Sequence, residues 1–475
     1  MKLRTPTLFA TRGVHSFLFL QLLLHCFVTT AAADKADGHD GRDTLPSTRL
    51  NLITVSIVTN PQSVHRQSLS LSKIEKAHLP SSNKGITSHP NQTISVRSAL
   101  TTDKSLFSYT VLPRRNLHIL QSIIMQRSMP LTQKVLCLSE EAVKTCLDMK
   151  ECLRVNRQAF VDLAQNKVVV PPRVAIPYHD PHHGSTGGDD ASDFSLFKPA
   201  AIPDRNLMAI KLVSTRQHNP SHGLPLVPAT VVSIDPPSGR VNGLVAGTYL
   251  TGARTTTGSA LSTALYRPDM ERLVVMGAGL QARLHIQAIS TALERPIQHV
   301  TIVNRTLSRA QDLAAEITEQ HQGWAERIDS LALHGPDPLL LAEVLSRADV
   351  IVTTTNTTTP LFTDSTPLKP GCHICSVGSF TPQMQEIPAR VVDQCTVIID
   401  TNDARSVGDL KHLTDHHPVH LLGNILHHDD GTPPRDERMS YTFFKSVGTA
   451  VQDVYTTNMV MERAREKGLG TEIEL

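Results

Sequence analysis

A glycine-rich stretch in the second half of the 475-residue chain most constrains the fold. The motif Gly277-Ala278-Gly279-Leu280-Gln281-Ala282 follows an apolar run at residues 273–276 and opens a helical pattern. In a strand–turn–helix unit of this kind, the first glycine permits a tight turn and the second lets the backbone approach a pyrophosphate. Ala282 at the last position keeps the helix close to the strand. We therefore expect a dinucleotide-binding βαβ unit in which Gly277 to Ala282 contact the cofactor.

The end of the next apolar run bears on which dinucleotide binds. An NAD-specific site usually carries Asp or Glu about 20 residues after the glycines, where the carboxylate binds the ribose 2′-hydroxyl. This chain has Asn304-Arg305-Thr306 there, and a guanidinium pairs with a 2′-phosphate through two hydrogen bonds. We expect NADP(H) rather than NAD(H), with Asn304, Arg305 and Thr306 as contacts. The alternative is that Arg305 is a solvated loop charge.

Strands and helices alternate after the glycine motif. The apolar runs that predict strands are residues 299–303, 348–355, 373–377 and 396–400. This alternation is typical of an α/β fold with a Rossmann-type, doubly wound parallel sheet. Ligands bind beyond the carboxyl ends of the strands in such sheets, so Thr354, Thr355 and Gly378 are further expected cofactor contacts.

The first 128 residues differ in kind from the rest of the chain. They carry 15 Lys and Arg against 6 Asp and Glu, whereas the remainder carries 31 against 38. Residues 34–128 show no sustained period, so we expect residues 1–128 to be a disordered basic extension or an upstream stretch absent from the working protein, with Met129 as its start. Residues 1–33 are also typical of a secretory signal peptide or a mitochondrial transit segment. We expect a cytoplasmic protein, with secretion or mitochondrial import as alternatives.

Several stretches together resemble the ornithine cyclodeaminase/μ-crystallin family. They are Pro171-Pro172-Arg173, Ile210-Lys211-Leu212-Val213, Leu250 to Thr255, Gly277 to Ala282 and Phe444 to Asp453, and the resemblance spans roughly Met129 to Gly470. It implies a Rossmann-type nucleotide domain at residues 269–440. It also implies an α+β, mixed-sheet domain for substrate binding and dimerisation, formed by residues 129–268 with 441–475. The expected partners are a small anionic imino-acid or amino-acid substrate and a second copy of the chain, with no nucleic acid and no membrane.

By the same resemblance, Arg173, Lys211 and Arg254 would bind the substrate carboxylate beside the nicotinamide, with Lys211 also serving catalysis. Arginine holds a carboxylate with paired hydrogen bonds, and several cations around one small site select an anion. Taken singly, each has an alternative role as a loop charge, a strand-end lysine or a helix-end cap. Ser446 and Val447 would approach the nicotinamide, and the pattern from Phe443 onward indicates a helix that crosses back to the first domain.

One departure from the family pattern separates two activities. The cyclodeaminases of this family carry an aspartate soon after the Val-Gly strand end, and Phe380 stands at that position here. Phenylalanine cannot accept a proton, which removes the base expected for ornithine cyclisation. The sequence favours an NADPH-dependent reductase of small cyclic imino acids, of the ketimine, Δ1-pyrroline-2-carboxylate or Δ1-piperideine-2-carboxylate type. An ornithine cyclodeaminase and a non-enzymatic NADPH- and ligand-binding protein are the alternatives.

Three patterns that could bind metal are given structural interpretations instead. Cys372-His373-Ile374-Cys375 lies in a predicted strand, where residues three apart point to opposite faces, so the thiols should not meet. The tract His179 to His183 and the cluster His412, His416, His417 and His420 lie in loops, and we expect no metal at either. Sequons at Asn304 and Asn356 would place glycans near the cofactor, which argues against secretion.

Overall fold

The apolar runs at the centre of the chain form strands of an extended parallel sheet. The computed structural model describes residues 133–178, 193–414, 416–427 and 433–475, all within one unit, Met125–Leu475. The expected extension at residues 1–128, the start at Met129 and the tract His179 to His183 lie outside the described residues.

Within the described residues, fifteen strands and nine α-helices follow one another along the chain. The strands are β1 Lys134–Leu138, β2 Val174–Pro177, β3 Phe194–Ile202, β4 Leu207–Thr215, β5 Ala229–Ile234, β6 Val241–Ala246, β7 Arg272–Met276, β8 Ile297–Asn304, β9 Ala325–Ala332, β10 Val350–Thr353, β11 His373–Ser376, β12 Cys395–Ile399, β13 Val419–Leu421, β14 Tyr441–Lys445 and β15 Thr471–Glu474. The helices are α1 Glu140–Cys146, α2 Met149–Ala164, α3 Thr248–Tyr266, α4 Leu280–Leu293, α5 Leu307–Gln320, α6 Pro338–Ser346, α7 Ala389–Val392, α8 Leu422–His427 and α9 Ala450–Lys467. None of the helices in the described ranges is long and apolar enough to cross a bilayer.

One sheet has eight parallel strands in the order β13-β12-β14-β11-β10-β7-β8-β9. Its central strands are apolar on both faces because helices and loops cover both sides. Along β7, Leu273 and Val275 face one hydrophobic cluster, whereas Val274 and Met276 face the other. The predicted Rossmann-type α/β sheet is confirmed.

The second sheet has seven strands in the order β15-β1-β6-β5-β4-β3-β2. The pairing of β1 with β6 is parallel and its other pairings are antiparallel, so this sheet is mixed, as expected. Helix α9 packs across β3, β4 and β5 and also contacts α2 and α3. This sheet and α9 therefore carry residues from both ends of the described chain.

Residues 441–445 were assigned wrongly from sequence. They form β14, which lies between β11 and β12 in the eight-stranded sheet, and not a helix in the other domain. Phe443 and Phe444 alternate between the two hydrophobic clusters, as a central strand requires. The helix that reaches the seven-stranded sheet is α9, which begins at Ala450, and β15 then pairs with β1. The short segment 446–449 consequently connects the two sheets.

The two cysteines of the Cys372–Cys375 pattern lie on different sides of the eight-stranded sheet. Cys372 belongs to one hydrophobic cluster and Cys375 to the other, and both thiols are buried. Strand alternation separates them as predicted. Burial raises the pKa of each thiol to about 12, which keeps both protonated at neutral pH.

Candidate active site at the junction of the two sheets

The residues expected to contact the cofactor lie at one edge of the parallel sheet. Strands β14, β11, β10, β7 and β8 are neighbours, so the segments that leave their carboxyl ends are brought together. These segments are Ser446-Val447 after β14, Gly378 after β11, Thr354-Thr355 after β10, Gly277 to Ala282 after β7 and Asn304-Arg305-Thr306 at the end of β8. The structure thus brings together every cofactor residue predicted from sequence.

The glycine turn after β7 has the geometry of a phosphate cradle. Gly277 has φ +124, and a Cβ there would lie 2.2 Å from Thr354 Oγ1. A Cβ on Gly279 would meet nothing within 4 Å, and α4 begins at Leu280 without a side-chain cap on its first N–H groups. Ala282 is fully buried, so the helix packs close to the strand. Open space in front of uncapped N–H groups suits an anionic group, and a dinucleotide fits these residues.

A buried carboxylate shapes the loops after β10 and β11. Glu386 accepts hydrogen bonds from Thr355 N at 2.6 Å, Thr355 Oγ1 at 2.8 Å and Gly378 N at 2.8 Å. Thr353 and Ser376 add their hydroxyls to the same carboxylate. Burial raises the pKa of Glu386, although the Lys445 charge opposes the shift. The amide groups of Thr355 and Gly378 are therefore committed to Glu386, and Thr354 is the residue that packs on the glycine turn.

A second buried carboxylate holds the segment between the two sheets. Asp400, directly after β12, accepts hydrogen bonds from Ser446 Oγ at 2.8 Å, Val447 N at 2.9 Å and Gly448 N at 2.7 Å. Burial raises the pKa of Asp400, and these hydrogen bonds oppose that shift. Ser446 and Val447 thus donate hydrogen bonds to Asp400, and their expected approach to the nicotinamide stays a prediction. Asp400 was not predicted from the sequence, although an acid directly after a buried strand could have indicated it.

Two of the three predicted substrate-binding cations share one buried carboxylate. Lys211 Nζ on β4 and Arg254 Nε on α3 each lie 2.8 Å from Asp453 Oδ1 on α9. The Lys211 and Arg254 side chains are 1% and 5% exposed. Burial alone would raise the pKa of Asp453, but the charges of Arg254 and Lys211 outweigh it and lower the pKa. We call Lys211, Arg254 and Asp453 the ion triad.

The ion triad keeps polar atoms free for a further partner. Arg254 Nη1 and Asp453 Oδ2 are buried and make no hydrogen bond within the part of the chain that the structure describes. The Arg254 guanidinium lies against Gly448, where a Cβ would stand 2.3 Å from Nη1. Gly448 has φ +73, so its backbone conformation also favours glycine. A buried guanidinium with an unused N–H is suited to a carboxylate ligand.

The third predicted cation lines a cavity that also borders Gly448. Arg173 shares this cavity with Lys198, Thr401, Asp403 and Gly448. Its Nη2 lies 3.8 Å from Asp403 Oδ2, and its side chain is one-quarter exposed. The cavity is therefore lined by three separate segments. Arg173 precedes β2, Thr401 and Asp403 follow β12, and Gly448 lies in the segment that connects the two sheets.

The cavity also contains a cation that the sequence analysis missed. Lys198 on β3 donates a hydrogen bond from Nζ to the carbonyl oxygen of Gly448 at 2.8 Å. It pairs directly across the hairpin with Lys211. The turn signal at Pro203 to Asn206 could have indicated this pairing, because a tight hairpin there places residues 198 and 211 opposite each other.

No acidic side chain lies at the position where the cyclodeaminases carry aspartate. Phe380 is half-buried in the loop after β11, and its ring centroid is 6.2 Å from that of Phe194 at the start of β3. Its neighbour Ser379 bonds the carbonyl of Met384, and the other neighbour is Thr381. The loop thus contributes an aromatic contact between the sheets.

The histidine cluster near β13 makes ordinary polar contacts. His412 Nε2 lies 3.2 Å from Asp393 Oδ1, and His417 Nε2 lies 3.0 Å from the carbonyl oxygen of Cys395. Across the described ranges, no group of three or more His, Cys, Asp or Glu residues is arranged to hold a metal ion.

The fold places the chain among the Rossmann-type dinucleotide-binding proteins that carry a second, mixed-sheet domain. More specifically, the chain belongs to the ornithine cyclodeaminase/mu-crystallin family, whose model matches residues 133–468.

Relatives and solved structures cover the same part of the chain. A Δ1-pyrroline-2-carboxylate reductase of Bacillus cereus is 29% identical over 350 residues, which is 72% of this chain and 100% of the relative. A protein of Dictyostelium discoideum named as an uncharacterized cyclodeaminase is 29% identical over 368 residues, with the same coverage. The Δ1-pyrroline-2-carboxylate reductase of Thermococcus litoralis, solved with NADH and L-proline, is 26% identical with a TM-score of 0.62. It covers 71% of this chain and 100% of its own.

We predict that Asp453→Asn destabilises the protein by about 3 kcal/mol at pH 7, because two buried cations lose their shared counter-charge. Urea unfolding measures the difference, and Asp312→Asn on the exposed face of α5 is the control. The folded pKa of Asp453 is lowered, so its stabilisation is present above the unfolded value of about 3.9 and is lost as pH falls below it. A change below about 0.5 kcal/mol, typical of surface substitutions, would contradict the role of the ion triad.

Proposed function

We propose that this protein is an NADPH-dependent reductase of small cyclic imino acids, acting on their carbon–nitrogen double bond. The observation that carries the proposal is a buried guanidinium, Arg254, with an unused N–H beside Gly448, on the segment that leaves the nucleotide sheet. The named reductases from Bacillus cereus and Thermococcus litoralis support the same chemistry.

Different residues bind the substrate carboxylate and orient the groups that bind it. Arg254 offers its free Nη1 to the substrate carboxylate, while Asp453 holds its Nε and fixes the plane of the guanidinium. Lys211 lies 2.8 Å from the same carboxylate oxygen of Asp453, and Arg173 adds positive charge from the cavity wall. Holding the carboxylate turns the imine carbon toward the cofactor, which lowers the entropic part of the barrier. Bound NADPH supplies the hydride.

The loop after β11 favours reduction over cyclodeamination. Ornithine cyclisation with loss of ammonia needs a base near the reacting amine, and residues 379–381 are Ser, Phe and Thr. The nearby Glu386 is fully buried and accepts hydrogen bonds from both flanking loops. An imino acid that is already dehydrated needs no such base, because its carbon accepts hydride once the nitrogen carries a proton.

The direct experiment compares two reactions of the purified protein. One sample receives NADPH with Δ1-pyrroline-2-carboxylate or Δ1-piperideine-2-carboxylate, and the other receives ornithine with NAD. We expect loss of absorbance at 340 nm with formation of proline or pipecolate in the first sample. Ammonia release from ornithine without net cofactor change would contradict the proposal and indicate a cyclodeaminase. Cofactor binding with neither reaction would also contradict it and indicate a binding protein.

We propose NADPH rather than NADH as the reductant because of the end of β8. Arg305 is exposed there and has no ion pair among the described residues, while Asn304 Nδ2 bonds the carbonyl of Thr306 at 2.9 Å. No carboxylate at residues 304–306 repels a 2′-phosphate. A phosphate can therefore meet an uncommitted guanidinium at the expected distance from the glycine turn.

Arg305→Ala tests this preference. We expect the KM for NADPH to rise about 10- to 100-fold, because the variant loses the charge-assisted hydrogen bonds to the 2′-phosphate. The KM for NADH should change much less, because NADH has no 2′-phosphate. Arg347→Ala is the matched control, because Arg347 is an exposed arginine just before β10, at the opposite edge of the sheet. An unchanged ratio of the two KM values in Arg305→Ala would refute the NADPH assignment.

A homodimer remains a prediction, and the edge of the seven-stranded sheet is consistent with it. Strand β2 is an edge strand whose Val174 and Ile176 are 57% and 51% exposed. Light scattering at micromolar concentration should give twice the mass of the chain, whereas a monomer would contradict the prediction.

A further inference from the structure

Among the residues that the structure describes, Lys198 is the cation of the site that lacks a carboxylate partner. It lies on β3 directly opposite Lys211 on β4, and side chains of such a cross-strand pair point to the same face of the sheet. Lys211 is bound to Asp453, whereas the only hydrogen bond from Lys198 Nζ in the described ranges goes to the carbonyl oxygen of Gly448. An ammonium group has three donors, so two N–H groups of Lys198 are available to a ligand.

The polar side chains that line the cavity differ in their ability to release a proton. They are Arg173, Lys198, Thr401, Asp403 and Thr449. A guanidinium keeps its proton at any physiological pH, and threonine hydroxyls do not ionise there. The Asp403 side chain is 64% exposed, and its Oδ2 lies 3.8 Å from Arg173 Nη2. Lys198 is the cavity-lining group that can give up a proton near neutral pH.

The charges around Lys198 favour release of that proton. Charged groups face it from every neighbouring element: Arg254 from α3, Asp453 from α9, Arg173 ahead of β2, Asp400 after β12 and Lys211 from β4. Burial and the positive charge of Arg254 together lower the pKa of Lys198 to about 8. At pH 7 the side chain is therefore mostly protonated, and losing the proton costs little.

Lys198 and Arg254 contact different atoms of Gly448, so the residue that would donate a proton is not the residue that would bind the substrate carboxylate. Gly448 lies between the two cations: its carbonyl oxygen accepts from Lys198 Nζ, and its α-carbon lies against the Arg254 guanidinium. A substrate carboxylate held by Arg254 would thus leave the adjoining part of a small ring within reach of Lys198. In Δ1-pyrroline-2-carboxylate and Δ1-piperideine-2-carboxylate the imine nitrogen is double-bonded to the ring carbon that carries the carboxylate, so it lies one atom away from the group that Arg254 would hold.

We propose that Lys198 is a catalytic residue that donates the proton to the imine nitrogen of the substrate, an assignment that rests on the proposed reductase function. The dihydronicotinamide carbon loses a hydride, which forms a C–H bond at the imine carbon. The π electrons of the C=N bond move to nitrogen, which forms an N–H bond with the proton of Lys198 Nζ. Lys198 is left neutral and regains a proton from solvent, so each turnover consumes one NADPH, one imine and one proton.

Lys198→Met and Lys198→Arg together test the assignment. General acid catalysis contributes about 100- to 10,000-fold, so Lys198→Met should lower kcat at pH 7 by about 100-fold or more. Lys198→Arg keeps the positive charge but holds its proton, so we expect a similarly low kcat with the KM for the imino acid changed only a few-fold. If Lys198→Arg instead keeps a near wild-type kcat, the proton-donor role is wrong. A fall limited to KM in Lys198→Met would assign Lys198 to carboxylate binding and would also overturn the proposal.

The pH profile supplies an independent readout. Wild-type kcat for reduction should be level below about pH 8 and fall about tenfold per pH unit above the pKa of Lys198 in the complex, because the nearby substrate carboxylate raises that pKa from its value of about 8 in the free protein. Lys198→Met should lack this alkaline break, and small alkylamines should restore part of the rate to Lys198→Ala. A break that persists unchanged in Lys198→Met would overturn the proposal.

Two controls keep these outcomes distinct from other failures. NADPH binding, followed by nicotinamide fluorescence, should be unchanged in both variants, and Lys167→Met replaces an exposed lysine after α2 without effect on kcat. If the wild-type protein reduces no cyclic imino acid, the proposed function itself fails. If the wild type is active and Lys198→Met retains its kcat, only the assignment of Lys198 fails.

Discussion

The site is organised around the ion pairs that Lys211 and Arg254 make with the buried carboxylate of Asp453. One of its oxygens accepts from both Lys211 and Arg254, which come from different elements, β4 and α3. Without a counter-charge, two such cations could not be kept out of water, because desolvation of each costs several kcal/mol. Asp453 therefore lets the protein hold positive charge in its interior and still leave Arg254 Nη1 without a hydrogen-bond partner among the described residues.

The site also needs its buried cations to lie beside the edge of the parallel sheet that is proposed to bind the nucleotide. Residues 446–449 bring the two together, because they leave β14 at the carboxyl edge of that sheet and lead into α9, which carries Asp453. Asp400 fixes the segment by accepting from two of its amides and one hydroxyl. Gly448 allows the guanidinium of Arg254 to come close, since any side chain there would collide with it. The segment 446–449 thus links the cofactor edge to the cation site.

Local signals in the sequence predicted the nucleotide fold well. The glycine motif, the apolar runs and the separation of Cys372 from Cys375 depend on neighbouring residues, and the structure agrees with each. The partners of the cations could not be found in this way, since Lys211 and Asp453 are 242 residues apart and meet only through packing of α9. Residues 441–445 were misassigned because a short, fully buried strand and a buried helix segment have similar apolar patterns. Lys198 was missed because its importance comes from its register with Lys211.

A crystal structure of the protein with NADP⁺ and L-proline would locate the carboxylate of the reduced product. We expect this carboxylate within hydrogen-bonding distance of Arg254 Nη1, with Asp453 still bound to Arg254 and the ring nitrogen directed toward Lys198. A proline carboxylate bound away from Arg254, with the ion triad outside the substrate site, would contradict this expectation.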